Sequence, residues 1–232
     1  MGRIYSNSYF HYTNKMESLL GILKDGFKGY YCEEQFKVNK EIKKLYIPMV
    51  SFCDIPLSQV SYITYGGWGI GMSSSWGNAN ELTPVCYFPN NAQSTLTSYI
   101  SKQVRDLYDN GQKKDRLVIK CDAIIAYSKP RNKYEKGKHR ANNYIERECR
   151  KAYLECSLNA EMHKKESKLL LNFRPSDISF IIVPNEEERK KMIHKINKIR
   201  TIGGNKRTTI TQEDKLVLIS KITTMQDIKK NY

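Results

Sequence analysis

The sequence predicts an α+β fold, because strand-like segments fill the middle of the chain and helix-like segments lie near its two ends. Continuous or alternating apolar runs such as YIPMVSFCDIP are typical of strands, whereas the apolar spacing of SLLGILKDG is typical of a helix. The 232 residues are 40% hydrophobic and 11% aromatic, which is the composition of a folded chain that buries a core. There is no internal repeat, and we expect one domain with a basic C-terminal extension.

In the first half of the chain, IYSNSYFHYT predicts a strand ending near His11, and SLLGILKDG predicts a helix that Gly26 ends. A charged stretch leads to Leu45 and then to a buried strand that Pro56 stops. Three shorter segments predict a short helix or turn, a glycine-rich strand and a further strand: LSQVSYITYGG, WGIGMSS and PVCYF.

The second half begins with a predicted helix over residues 91–110, in which apolar residues recur at helical spacing: Leu96, Ile100, Val104 and Leu107. LVIKCDAIIAYS, LLLNFRPSD and ISFIIVPN predict strands. Residues 185–200 predict a charged helix with an apolar stripe formed by Ile193, Ile196 and Ile199. The end of the chain, LVLISKITTMQDIKK, predicts a strand followed by a helix.

The segment YIERECRKAY fits two structures. A helix would place five side chains on one face: Ile145, Cys149, Ala152, Tyr153 and Cys156. A strand would instead point Glu146, Glu148 and Arg150 the same way. Two carboxylates so placed repel each other unless a cation, a proton or a chemical task holds them there. Paired carboxylates can serve acid–base chemistry or stabilise a developing cation, and the alternative is a charged strand edge beside arginines.

The chain has no apolar run near the roughly 18 residues that a membrane span needs, and MGRIYSNSYFHYTNK lacks the apolar region of a signal peptide. We therefore expect a cytoplasmic protein with no membrane partner. None of the six cysteines forms a C-x-x-C pair, and no His lies at zinc-finger spacing from them. Reduced, structural thiols and no metal are expected.

The net charge of +15 favours an anionic partner such as nucleic acid, phosphate groups or an acidic protein. Much of the charge lies between Lys129 and Lys151 and in the tail from ERKKMIHKINKIR to NKRTT. The candidate nucleic-acid-binding residues are Lys133, Lys136, Lys138 and Arg140. The alternative is a basic, solvated surface without a partner.

Two segments could hold a small ligand. His11 in FHYTN could donate a hydrogen bond to a ligand, or it could tie down the end of a strand, and Thr13 could cap the following helix. YGGWGIGMSSSW permits close backbone approach to a ligand, with Tyr65, Trp68 and Ser73 nearby. It matches neither a Rossmann nor a Walker fingerprint, and a hairpin with a tight turn is the alternative.

Several stretches together resemble the AbiGi-like abortive-infection family: HYTNKMESLLGILKDGF, IPMVSFCDIPLSQVSYITYGGWGIGMSSSWG with PVCYF, IERECR, and RPSDISFIIVPNEEE. Proteins of this family are bacterial phage-resistance proteins, described as the antitoxin half of a two-gene system. The resemblance covers about residues 9–190. It favours the strand for YIERECRKAY, although Cys149 stands where the family usually has Trp.

The order of a His on a first strand, a Gly/Ser strand and a later Glu-x-Glu strand also resembles the ADP-ribosyltransferase fold. This resemblance implies a central, mainly antiparallel split sheet flanked by helices in residues 1–184. A basic helix and strand extension over residues 185–232 would pack on that domain.

The same resemblance implies NAD as a cofactor. Candidate cofactor-binding residues are His11, Thr13, Tyr65 and Ser73, with His11 on the nicotinamide ribose and Tyr65 or Ser73 against the nicotinamide. Glu148 would stabilise the ribosyl cation and Glu146 would activate the target, so the catalytic candidates are Glu148, Glu146 and His11.

Three functions are compatible with these patterns. The first is the antitoxin or regulatory component of a phage-defence system, with a cognate toxin or nucleic acid as its partner. The second is an active NAD-dependent ADP-ribosyltransferase that modifies a protein or a nucleic acid. The third is an RNA- or DNA-binding module in which tyrosines stack on bases and basic residues neutralise phosphates.

Overall fold

The computed structural model describes residues 7–62, 67–90, 94–114, 118–133 and 142–231. Within them the chain forms an α+β fold whose strands are β1 (Ser8–Thr13), β2 (Phe27–Val38), β3 (Glu41–Cys53), β4 (Trp68–Ser73), β5 (Thr83–Pro84), β6 (Cys86–Phe88), β7 (Ile119–Lys120), β8 (Ser128–Pro130), β9 (Glu148–Ala152), β10 (Glu155–Cys156), β11 (Glu166–Leu171), β12 (Ile178–Val183), β13 (Thr201–Ile202), β14 (Asn205–Thr209) and β15 (Ile222–Thr224).

The helices of the described residues are α1 (Met16–Asp25), α2 (Ser74–Ala79), α3 (Thr95–Lys114), α4 (Ala123–Ala126), α5 (Glu186–Lys198), α6 (Gln212–Ser220) and α7 (Met225–Asn231). Short 3-10 helices span Leu57–Tyr62, Asn143–Glu146, Ala160–Met162 and Pro175–Asp177. The chain divides into two compact units. Unit 1 comprises Met1–Lys28, Ser51–Leu82 and Leu170–Tyr232, and unit 2 comprises Gly29–Val50 and Thr83–Leu169.

Unit 1 is built on a mixed sheet in which β4 lies between β1 and β12 and is antiparallel to both. Strand β15 continues the sheet parallel to β12. Two glycines make the centre of this sheet possible, because a Cβ on Gly69 would lie 2.8 Å from the Tyr12 ring and one on Gly71 would lie 2.7 Å from the Phe10 ring. The glycine-rich strand is therefore confirmed, and two of its glycines make room for aromatic rings.

The core of unit 1 includes a group of aromatic rings. Phe27 and Phe52 meet edge to face with their centroids 4.9 Å apart, and each lies 5.5 Å from Trp76. The indole Nε1–H of Trp76 donates to the carbonyl oxygen of Asn172 at 2.9 Å. Edge-to-face rings with their polar atoms paired are a favourable way to fill a core.

Unit 2 is built on the long hairpin of β2 and β3, which turns at Asn39 with a φ of 57°. Strand β9 pairs with β3 and β5, and β11 pairs with β2. The buried residues beneath these strands form one cluster with α3 and α4: Phe36, Val38, Leu45, Ile47, Met49, Phe88, Ile100, Val104, Cys121, Ile125, Ala126, Ala152 and Cys156. The predicted stripe of residues 91–110 is confirmed in part, because Ile100 and Val104 are buried whereas Leu96 and Leu107 are partly buried.

Two predicted strands were wrong in part, and helix caps explain both. Among the described residues of LVIKCDAIIAYS, which begin at residue 118, only Ile119–Lys120 and the start of β8 are strand, because the Asp122 side chain accepts from the Ile124 N–H at 2.9 Å and begins α4. LVLIS lies in α6 because Thr211 and Asp214 form a capping box at its start. The predicted strand is shorter and begins at Ile222.

The boundary expected at residue 184 falls inside unit 1, where α5 contacts β12 and β15. Met192 and Ile196 on α5 are fully buried, and Ile199 is buried at the end of the helix. Ile193 is only half-buried. The division into residues 1–184 and 185–232 stays a prediction.

Candidate functional site

A buried network of ion pairs lies at the start of β9 in unit 2. Arg150 is fully buried, with its Nε 2.9 Å from Glu148 Oε1 and its Nη2 3.0 Å from Glu34 Oε1. Its Nη1 also donates to the carbonyl oxygen of Ala126 at 3.2 Å. A guanidinium can remain buried because carboxylate and carbonyl oxygens surround it.

Lys129 completes the network. Its Nζ donates to Glu148 Oε2 at 2.9 Å and lies 3.4 Å from Glu146 Oε2. Both oxygens of Glu148 are therefore occupied by cations, one from Lys129 and one from Arg150. This arrangement explains how two carboxylates two residues apart coexist, since a shared ammonium group separates them.

Glu146 and Glu148 do not belong to one strand. Glu146 ends the 3-10 helix Asn143–Glu146, Arg147 has a left-handed φ of 41°, and β9 begins only at Glu148. The expectation of a strand that carries both carboxylates on one face was wrong for Glu146, because Glu146 belongs to the 3-10 helix that the left-handed Arg147 ends. The backbone N–H of Glu148 donates to the hydroxyl of Tyr87 at 2.9 Å and fixes the start of the strand.

The network shifts the protonation equilibria of its members. Burial raises the pKa of Glu34 above its ordinary value, although Arg150 and Lys129 act in the opposite direction. For Lys129, burial opposes the charged form, but the carboxylates of Glu34, Glu148 and Glu146 outweigh it and raise the pKa. Lys129 is therefore a permanent cation at neutral pH, which makes it a poor general base.

A pocket of about 390 Å³ adjoins the network, and we call it the Lys129 pocket. Its wall carries both signs of charge and two amides: Glu33, Glu34, Gln35, Lys129, Pro130, Lys133, Asn143 and Glu146. All of these residues belong to unit 2. Such a polar wall suits a ligand with several hydrogen-bonding groups better than an apolar ligand.

His11 lies on β1 in unit 1, as expected, but its surroundings are those of a core residue. Its Nδ1–H donates to the carbonyl oxygen of Ser51 at 2.8 Å, and its ring packs edge to face on Phe27 and Phe52 at 5.4 and 5.6 Å. Burial holds the pKa of His11 below its ordinary value, although the bond to Ser51 acts in the opposite direction. The ring is therefore neutral at pH 7.

The other cofactor candidates have local structural roles or lie outside the described residues. Ser73 is the N-cap of α2 and accepts from the Trp76 N–H at 3.2 Å. Thr13 ends β1 opposite Trp68. Tyr65 lies outside the described residues. His11, Thr13 and Ser73 belong to unit 1, whereas Glu146 and Glu148 belong to unit 2. Their roles with NAD stay predictions.

Of the four basic candidates, Lys133 is exposed and lines the Lys129 pocket. Lys136, Lys138 and Arg140 lie outside the described residues. Glu34 was not among the predicted site residues, but it ion-pairs with Arg150 although 116 positions separate them (150 − 34). One signal was available, since the charged Glu34 stands in a hairpin strand between the apolar residues Tyr31 and Phe36.

No helix in the described ranges is long and apolar enough to cross a membrane. Within the same ranges, no three His, Cys, Asp or Glu side chains come together in a way that would hold a metal ion.

The chain is similar to known phage-resistance proteins. Residues 26–184 match the family model described as "Putative abortive phage resistance protein AbiGi, antitoxin". The chain is also 31% identical to the abortive phage resistance protein AbiGi of Lactococcus lactis subsp. cremoris, over 88% of this chain and 98% of that protein. No solved structure matches the chain. The family model spans more than half of the chain and the relative spans nearly all of it, so the protein belongs to the AbiGi family of abortive phage resistance proteins.

Proposed function

We propose that this protein is the antitoxin or regulatory component of an abortive-infection system, and that it acts by binding rather than by ADP-ribosyl transfer. One observation carries the second half of the proposal: Lys129 and Arg150 occupy both carboxylate oxygens of Glu148. The antitoxin role rests on the description of the family model.

An ADP-ribosyltransferase needs a carboxylate that faces the ribose and stabilises its developing positive charge. Glu148 is 6% exposed and lies against two cations that would repel such a charge. The side chain of His11 is also engaged, because its Nδ1–H bonds Ser51 and its ring packs between two phenylalanines. Both features favour structural roles for the two strongest catalytic candidates.

The transferase alternative, with its ADP-ribosyltransferase-like scaffold, predicts turnover of NAD. The test incubates the purified protein with labelled NAD and bacterial lysate, in parallel with nuclease- and protease-treated lysate. We expect no consumption of NAD and no transfer of label. Transfer by the wild-type protein would refute the binding proposal, and the sensitivity of the label to nuclease or protease would identify the target.

The Glu148→Gln variant is a poor sole test of catalysis. Glutamine keeps the shape of the side chain but leaves Lys129 and Arg150 without one of their carboxylates, so the variant is expected to lose stability whatever its activity. Its thermal unfolding must therefore be measured beside any loss of phage resistance.

The antitoxin role is tested in cells. The gene beside this one in its native locus is expressed alone, together with this protein, and together with an early-truncated control. We expect growth arrest in the first and third strains and growth in the second. Equal growth of the second and third strains would contradict the antitoxin role while leaving the NAD result unaffected.

A further inference from the structure

The 3-10 helix Asn143–Glu146 carries two kinds of side chain, polar ones that line the Lys129 pocket and large ones that are exposed to solvent. Three residues per turn place positions 143 and 146 on the same side, and both side chains line the Lys129 pocket. Tyr144 and Ile145 lie between them in sequence and are 52% and 55% exposed. The same turn of chain thus carries an exposed aromatic ring and two side chains of the pocket wall.

The ring of Tyr144 is held in place although it is exposed. The guanidinium of Arg131 lies 5.4 Å from its centroid, and the ring of Tyr87 meets it edge to face at 5.3 Å. The backbone is fixed as well, because the Asn143 N–H donates to the carbonyl oxygen of Arg131 at 2.8 Å. A ring that is already ordered loses little entropy when a flat group stacks on it.

Two side chains of the pocket wall, Asn143 and Glu146, have acceptor oxygens with spare hydrogen-bonding capacity. Asn143 is 3% exposed and donates through Nδ2 to the carbonyl oxygen of Pro130 at 2.8 Å, but its Oδ1 has no hydrogen-bond partner among the described residues. Glu146 makes one long contact, 3.4 Å from Oε2 to Lys129, within the same part of the chain. A buried acceptor without a donor is costly, so a ligand that supplies N–H groups would be stabilised here.

The combination of stacking surface and acceptors fits a nucleobase. Bases in single strands are recognised by aromatic stacking and by hydrogen bonds to their Watson–Crick edges. Guanine is the one standard base that presents two adjacent donors on that edge, N1–H and the 2-amino group, and a carboxylate accepts both. Arg131 and Lys133 are exposed beside the pocket and could meet the neighbouring phosphates.

We propose that the Lys129 pocket and Tyr144 bind one guanine nucleotide of a single-stranded nucleic acid. The base stacks on Tyr144 and directs its donor edge towards Glu146 and Asn143. This proposal rests on the proposed function, because both take the protein to act by binding. It adds the chemical class of the partner. Adenine, cytosine and uracil are discriminated against because each leaves an acceptor of the pocket without a donor.

The test measures fluorescence anisotropy with a short labelled oligouridine that contains one guanosine. A matched oligonucleotide carries inosine, which lacks the 2-amino group, and DNA counterparts separate RNA from DNA. We expect the guanosine oligonucleotide to bind more tightly than the inosine one. Tyr144→Ala should weaken binding about 5-fold to 150-fold, the range that alanine substitution gives for base stacking. Glu146→Gln should reduce the preference for guanosine.

Tyr99→Ala is the matched control, because Tyr99 is 42% exposed on α3 of the same unit and lies outside the pocket wall. It should bind like the wild type.

Equal affinity for guanosine and inosine would overturn the base assignment, and wild-type binding by Tyr144→Ala would overturn the site. Labelled NAD is added to the same complexes: transfer of label would refute the proposed function and leave the binding site standing, whereas absence of binding would refute only this inference.

Discussion

At the scale of single residues, the buried Arg150 determines how the carboxylates of unit 2 behave. Glu34 and Glu148 are both nearly fully buried, at 5% and 6% exposure, and both contact its guanidinium. Two buried carboxylates without a cation would repel each other or take up a proton. We therefore expect Arg150 to be required for folding, whether or not it also contacts a partner.

Replacing Arg150 tests this directly. Arg150→Met should lower the free energy of unfolding by about 3–5 kcal/mol, the cost typical of removing one partner from a buried ion pair. The measurement is urea unfolding followed by circular dichroism. Lys191→Met is the control, because Lys191 forms exposed ion pairs on α5 and should matter far less. Equal stability of the two variants would contradict the structural role.

The buried His11 predicts a dependence of stability on pH. Its pKa lies below the ordinary value of 6.5 in the folded chain, so the unfolded chain takes up the proton first as the pH falls. The contribution of His11 to stability is therefore present above about pH 6.5 and is lost as the pH falls from there through the folded pKa. His11→Asn keeps a donor for Ser51 but does not titrate.

Unfolding of the wild type and of His11→Asn is compared at about pH 7 and about pH 5, on either side of the histidine pKa. The wild type should lose more stability between the two values than the variant. Parallel losses would show that His11 does not titrate below its unfolded value, and would return it to the list of ligand-binding candidates.

At the scale of elements, caps decide where several helices begin. Asp122 begins α4, Thr211 and Asp214 begin α6, and Ser73 begins α2. Each cap satisfies backbone N–H groups that a helix start leaves without partners. This local chemistry explains why the apolar runs of α4 and α6, whose composition is typical of strands, form helices.

A substitution at Ser73 distinguishes a role in capping α2 from a role in binding a cofactor. Ser73→Ala should lower the stability of unit 1 by about 1 kcal/mol, the usual cost of losing an N-cap. Ser74→Ala is the matched control, because Ser74 is exposed in the first turn of α2. Thermal unfolding measures both. If Ser73→Ala melts like the control, the hydroxyl has no capping role and a ligand becomes its better explanation.

At the scale of the whole molecule, the net charge of +15 predicts association with polyanions. Protein purified at low ionic strength should carry nucleic acid, seen as a raised ratio of absorbance at 260 nm to 280 nm. A wash with about 1 M salt should remove it, since counterion release makes such binding strongly salt-dependent. Protein whose lysines are succinylated is the control and should carry none. A low ratio before any salt wash would point to a basic surface without a nucleic-acid partner.

The sequence predicted the elements whose signals are local. The strand of His11, the helix α1 up to Gly26, the buried strand before Pro56 and the glycine-rich β4 are where periodicity placed them. These predictions succeed because apolar spacing and a C-terminal glycine act over a few residues. The prediction that Glu146 lies on a strand face was wrong, because nothing in YIERECRKAY shows that Arg147 adopts a left-handed conformation.

By itself, the sequence determined the α+β class, the excess of positive charge and the family to which the chain belongs, since all three are properties of composition and of short motifs. Only the tertiary structure decided the role of Glu148, which is to pair with two cations inside unit 2. Its partners Lys129 and Arg150 flank it in sequence by 19 and 2 positions, but Glu34, the second carboxylate on the buried Arg150, comes from the distant strand β2. Burial depends on what the whole chain packs around a group, and the free energy of a charge depends on that burial.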